Sequence, residues 1–236
     1  AQAILAQVVK ASLSALRFSP GFEACRPRIG MGCAGSKSAE VDLGPNASNP
    51  VAEFDCTMGK FRAEIFLDRV PITASNFIDL CQSGFYDGIH FHRVIPDFMN
   101  QFGCPNAKDP NAKNAGTGGP KDGQFKNLKK GRMELRTKGG CIKDEHTSRD
   151  TNASGTLSMA NTGRPNSGGS QFFLNVAKND NLDWFSPGPS KHPVFGRVIE
   201  GMDVVFEISK VKTKDDNPVV PIMMNTITIT NLPESS

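Results

Sequence analysis

The chain has 236 residues, of which 38% are hydrophobic and 22% charged, with 27 basic side chains against 24 acidic ones. That composition suits a folded domain with a sizeable core, and a net charge of +3 is too small to mark a nucleic-acid binder. No apolar run reaches the roughly 18 residues that a membrane-spanning helix needs. Sixteen Phe stand against one Trp and one Tyr. A phenyl ring packs without a polar partner to satisfy, so this bias predicts a closed, apolar interior.

Residues 1–50 read as a tail and linker distinct from the rest. Residues 1–38 carry Lys10, Arg17, Arg26, Arg28 and Lys37 against Glu23 alone and are rich in Ala and Ser, a composition that fits an organelle transit peptide. Met31-Gly32-Cys33-Ala34-Gly35-Ser36 also matches the acylation pattern M-G-x-x-x-[ST]. On that reading residues 1–30 are a leader, Gly32 carries a myristoyl chain and Cys33 a palmitoyl chain. Two chains together anchor a protein stably to a membrane. An inert tail is the third reading. Residues 42–50, rich in Gly, Pro and Asn, read as a linker.

From Val51 the pattern becomes regular. Ala52, Phe54 and Cys56 alternate with Glu53 and Asp55; after Gly59-Lys60, Phe61, Ala63, Ile65 and Leu67 alternate with Arg62 and Glu64. These predict a β-hairpin. Pro71 suits the first turn of a helix, and Phe77, Ile78 and Cys81 give it a buried stripe up to Gly84. Strands are predicted over 91–95, 98–102, 156–161, 171–177, 194–199 and 226–231, and a second helix over 202–209 after Gly201. Many short strands and only two helices point to an antiparallel sheet closed on itself. Residues 104–154 read as a long irregular stretch. Nine basic residues against three acids between 108 and 138 read as a solvated loop, with no nucleic-acid partner expected.

Cys25, Cys33, Cys56, Cys81, Cys104 and Cys141 are scattered, with neither the framework of a small disulfide-rich domain nor the paired spacing of a structural zinc site. Reduced thiols in an intracellular, cytoplasmic protein are expected. The triplets Asn46-Ala47-Ser48 and Asn152-Ala153-Ser154 match a glycosylation acceptor, a pattern common by chance. His90, His92, His146 and His192 lack helical metal-ligand spacing, no phosphate loop is present, and no serine sits in a nucleophile elbow, so neither metal nor cofactor is expected.

What stands out instead is polar groups inside apolar runs: Arg93 within Phe91-His92-Arg93-Val94-Ile95, Asn161 after Ser158-Met159-Ala160, and Gln171 beside Phe172-Phe173. Arg is rarely buried unless paired, so Arg93 needs either a partner acid or a ligand. The strings VPITASNF (70–77), FHRVIPDFMNQ (91–101), GTGG (116–119), GTLSMANTG (155–163), NSGGSQFF (166–173) and HPVFGRVIEGMDVV (192–205) then occur in one order. On these six motifs the chain resembles a cyclophilin-type peptidyl-prolyl cis-trans isomerase over about 51–232.

The resemblance implies a closed, eight-stranded antiparallel β-barrel capped by two helices. It places Arg93 as the catalytic arginine, with Phe98, Gln101 and His192 in the catalytic set. Met99, Phe173 and Leu182 line the proline pocket with Phe98 and His192. Gly116, Ala160, Asn161, Thr162 and Gln171 lie along the peptide groove with Gln101. The implied activity is rotation about X-Pro bonds in client proteins, by a monomer. The alternative is a prolyl-peptide binding module or assembly subunit. Three positions depart from the family pattern. Asn181 stands before Leu182 where many members carry a cyclosporin-binding tryptophan, so weak cyclosporin binding is expected. Trp184 can either swing into that place or pack its own loop. Thr162 replaces a common alanine, and residues 120–140 are longer than in compact members.

Overall fold

Alternation in the sequence becomes pairing in the structure. In the computed structural model, which describes residues 46–233, β1 (Val51–Cys56) and β2 (Gly59–Ile65) form the predicted hairpin, with Ala52 opposite Ala63 and Phe54 opposite Phe61. The remaining main strands are β3 (Arg93–Ile95), β4 (Met99–Phe102), β7 (Thr156–Met159), β8 (Phe172–Asn175), β9 (Val194–Glu200) and β12 (Met224–Thr230). They make one antiparallel sheet of eight strands in the order β12-β1-β2-β9-β7-β8-β4-β3. The tail expectations, including acylation at Gly32 and Cys33, lie outside the described residues.

The expected closure is corrected: the sheet is a strongly curled half-barrel whose edges are β12 and β3. Closure needs a continuous ladder between the edge strands. Here residues 88–91, just before β3, meet residues 222–224 through one isolated bridge, His90 with Met223, and a few backbone bonds such as Phe91 N–H to the Ile222 carbonyl at 3.0 Å.

Phenylalanines fill the interior. Phe54, Phe61, Phe77, Phe91, Phe102, Phe172 and Phe195 are each at most 1% exposed. Phe172 meets Phe77 edge-on with centroids 5.5 Å apart, and Phe54 stacks on Phe61 at 4.4 Å. Offset and edge-to-face contacts of this kind favour rings over aliphatic fill. Helix α1 (Pro71–Gln82) lies on this core with Pro71 in its first turn. Its N-terminus has no local side-chain cap; the Glu145 carboxylate accepts the backbone N–H groups of Ile72 and Thr73 at 3.1 and 2.9 Å. That supplies a remote residue where an N-cap side chain normally sits. Helix α2 (Met202–Ser209) starts after Gly201, whose φ of +76° and close approach to Lys60 and Phe61 of β2 leave no room for a Cβ.

The stretch 104–154 is more ordered than expected. Strands β5 (Gly123–Lys126) and β6 (Met133–Arg136) form a separate hairpin docked on α1. Phe125, Ile72 and Ile142 make a small cluster under it. Arg136 reaches down to Asn76 Oδ1 at 2.7 Å and Asp79 Oδ2 at 2.6 Å, with its guanidinium 4.8 Å above the Phe125 ring. A second short hairpin, β10 (Thr213–Lys214) with β11 (Asn217–Pro218), lies against β3. Upstream of β1, Asn49 is buried and binds Glu64 and Asp68, so the end of the expected linker is packed onto the domain. Asn152 is 0% exposed, which removes it as a glycosylation acceptor.

Candidate active site

Register places the predicted residues on one face of the sheet. Arg93 pairs with Gln101, Gln101 with Phe173, and Phe173 with Ser158, so these side chains project from the same side of β3, β4, β8 and β7. Met99 joins that side through its pairing with Ile95. The intervening residues Val94, Phe102, Phe172 and Leu174 point the other way, into the main core. Every residue of β4 and β8 is buried, which requires cover on both faces. The second cover is a separate apolar cluster of Met99, Phe173 and Leu182, with Phe98, Ile95 and Ala160 half-buried against it.

Local sequence builds this cluster. Ile95-Pro96-Asp97-Phe98 makes a tight turn, with proline second, Asp97 at φ +55° third, and the Phe98 N–H bonded to the Ile95 carbonyl at 3.3 Å. The turn folds Phe98 back beside β3. Leu182 ends a short 3-10 turn (Asp180–Leu182), and its carbonyl accepts the His192 N–H at 3.1 Å. Buried Asp183 ties the two together: Oδ1 accepts both the N–H and the Nδ2 of Asn152 at 2.7 Å, and Asn152 Nδ2 also reaches the His192 carbonyl.

His192 is 3% exposed and stands edge-on to Phe173, with Nδ1–H donating to the Met159 carbonyl at 2.9 Å. Burial pulls its pKa below the ordinary histidine value, against the opposing pull of that hydrogen bond. It is therefore a neutral ring at pH 7. His92, the residue before β3, is buried beside Gln171. Burial, and next the Arg93 charge, push its pKa down to about 4.

Arg93 is 11% exposed at its side chain, and its Nε donates to Asp216 Oδ2 at 3.3 Å. Its Nη1 is buried with no hydrogen-bond partner among the described residues. Asp216 is a site residue that sequence reasoning missed. It lies 123 positions away in a two-residue turn, and no spacing pattern connects it to Arg93. Gln101 is the cross-strand neighbour of Arg93 but bonds elsewhere: its Nε2 donates to Gln171 Oε1 at 3.0 Å. Gln171 Nε2 in turn donates to the carbonyls of Gly116 and Gly118 at 3.0 and 2.8 Å, fixing that loop beside the row. Around the end of β7, Ala160 N–H bonds the Gln171 carbonyl, Asn161 Nδ2 donates to the Lys191 carbonyl, and Thr162 N–H reaches Ser167 Oγ.

Trp184 packs its own loop. Its Nε1 donates to the Ser148 carbonyl at 2.6 Å and its ring stacks on His146 at 5.2 Å, while Asn181 is exposed. The arrangement brings together a small apolar cluster, a neutral imidazole, fixed amides and one partly unsatisfied guanidinium. It contains no nucleophile–base pair.

Known proteins resemble this chain over its sheet-forming part. Residues 51–229 match the family model described as cyclophilin type peptidyl-prolyl cis-trans isomerase. The chain is 40% identical over 173 residues to peptidyl-prolyl cis-trans isomerase CYP18-1 of Arabidopsis thaliana, covering 73% of this chain and 91% of that one. It is 38% identical over 168 residues to peptidyl-prolyl cis-trans isomerase-like 1 of Aspergillus fumigatus, covering 70% and 86%. The crystal structure of a Cryptosporidium parvum cyclophilin type peptidyl-prolyl cis-trans isomerase superposes with a TM-score of 0.62 at 25% identity, covering 78% of this chain and 99% of that one. With a family model spanning the sheet to within one residue and the row of Arg93, Gln101 and Phe173 lying within it, the chain belongs to the cyclophilin-type peptidyl-prolyl cis-trans isomerases.

Proposed function

We propose that the protein rotates X-Pro bonds in client peptides by holding the proline ring in the slot of Phe98, Met99, Phe173, Leu182 and His192 while Arg93 stabilises the twisted amide. Rotation costs about 18–20 kcal/mol because amide resonance is lost, and unaided it takes tens of seconds. No bond to the protein is needed. As the amide twists, the prolyl nitrogen becomes pyramidal and regains a lone pair, which Arg93 Nη1 can meet as donor. That contact is stronger in the twisted state than in either planar state, so it lowers the barrier. The observation that carries this reading is Arg93 Nη1, buried yet unpartnered among the described residues, on the same sheet face as an apolar cluster separate from the core.

The groove roles follow the same logic. Asn161 commits its side chain to Lys191 and Gly163, which leaves its backbone to bind the residue before proline. Gln101 and Gln171 brace the Gly116 loop. Four described cysteines are free, three of them buried, which supports a reducing, intracellular setting. No described helix is long and apolar enough to cross a membrane.

A protease-coupled proline-peptide assay on the wild type and Arg93→Ala tests the reading. Catalysed turnover in the wild type, reduced on the order of a hundredfold in Arg93→Ala, is expected. Equal rates near the uncatalysed value would favour a module that only binds prolyl segments.

A further inference from the structure

The turn between β10 and β11 grips two successive residues of β3 with a single amino acid. Asp215 and Asp216 both adopt left-handed backbone, at φ +52° and +65°, in a two-residue turn closed by the pairing of Lys214 with Asn217. That is the type I′ geometry, which asparagine and glycine fill most easily. Two aspartates in succession carry backbone strain there. The Asp216 carbonyl accepts the Val94 N–H at 2.7 Å. Its carboxylate accepts the Arg93 Nε–H at 3.3 Å. The backbone bond aligns the turn with the sheet edge, and the side-chain bond uses Nε, the one guanidinium nitrogen outside the terminal fork.

We propose that Asp216 is a positioning residue: its carboxylate fixes the Arg93 guanidinium so that Nη1 stays available to the prolyl peptide. This rests on the reading of Arg93 given above. An arginine stem has several rotatable bonds, and a guanidinium held only by its stem samples many poses. A donor that must meet the prolyl nitrogen only in the twisted state gains most from being fixed beforehand. Asp216 does not touch the reacting bond in this scheme. It acts through Arg93.

The test compares Asp216→Gly, Asp216→Asn and Asp215→Gly with the wild type and Arg93→Ala in the proline-peptide assay. Glycine suits the left-handed backbone and keeps the carbonyl bond to Val94, so Asp216→Gly removes the carboxylate alone. It is expected to lower kcat on the order of tenfold with KM nearly unchanged. The Arg93 Nε–H resonance should lose its protection from solvent exchange at the same time. The Asp216→Asn change keeps an acceptor oxygen at the same height, so that variant is expected to restore most of the rate. Asp215→Gly, at the neighbouring left-handed position, is expected to behave as wild type. Wild-type kcat in Asp216→Gly, no recovery in Asp216→Asn, or an equal fall in Asp215→Gly each overturns the positioning role. If the wild type does not exceed the uncatalysed rate, or Arg93→Ala turns over as fast as the wild type, the reading of Arg93 fails first and the role of Asp216 falls with it.

Discussion

His192 stands edge-on to Phe173, with ring centroids 5.3 Å apart and planes inclined by 77°, while its Nδ1–H is bound to the Met159 carbonyl. One ring thus borders the Phe173 cluster and shows it only an uncharged surface. The hydrogen bond fixes the tautomer, and burial disfavours the imidazolium.

The pH dependence follows from that. Both His192 and His92 have folded-state pKa values lowered below 6.5, His92 to about 4. The unfolded chain therefore binds more protons than the fold between about 6.5 and 4. Their contribution to stability is complete above pH 6.5 and is lost as pH falls through 4. For His92 it amounts to about 3 kcal/mol. Urea midpoints should drop between pH 7 and pH 4.5, whereas kcat/KM should stay flat from pH 6.5 to 8. A kcat/KM profile that titrates near 7 would contradict a neutral His192.

Arg93→Lys retains the charge but has no Nε–H at the height of Asp216 and no planar fork. The two cations differ in geometry, so kcat/KM should fall roughly 10- to 100-fold while the thermal midpoint changes little. Rates near wild type in the same assay would mean that charge alone suffices.

Arg136→Ala tests the docked hairpin. It removes a buried guanidinium from Asn76, Asp79 and the Phe125 ring. Leaving these groups unpaired should destabilise the domain by about 3 kcal/mol. Amide exchange should quicken first in β5 and β6. Isomerase activity below the unfolding midpoint should be unchanged, because the hairpin packs on α1 and shares no described hydrogen bond with the Arg93 row.

Asn181→Trp addresses cyclosporin. Trp184 is committed to His146 and Ser148, so an indole beside the slot is missing. Introducing one at the exposed Asn181 position should tighten cyclosporin binding at least about tenfold, by the area a tryptophan buries and the hydrogen bond it donates. Fluorescence titration of both proteins measures it.

Asp97 occupies the left-handed place in the turn that carries Phe98. Asp97→Gly should stabilise the protein by about 0.5–1 kcal/mol in denaturant unfolding, since glycine meets that φ without strain.

The main sheet strands and the first helix are legible in periodicity, the second helix in the glycine before it, and the residues of the Arg93 row in the motifs that carry them. The parts the sequence concealed have physical reasons. In β6 the alternation is inverted: Met133 and Leu135 are 56% and 57% exposed, while Arg136 points into the protein. An apolar-inward rule reads such a strand as a loop. β10 and β11 are two residues each, too short for any period to register. The ladder missing between β12 and β3 is a matter of how far the sheet curls, which no local pattern encodes. Asp216 meets Arg93 only because the β10–β11 turn folds back on β3.

The wall formed by β4 and β8 has grease on both sides, and the two sides belong to different tasks. Phe102, Phe172 and Leu174 hold the molecule together; Met99 and Phe173, one residue out of phase, belong to the separate cluster to which we assign the grip on proline. On that reading a lineage can remodel its choice of client at Met99 and Phe173 while the even-numbered positions keep the architecture intact. Diversification of such a scaffold is open to single-residue steps.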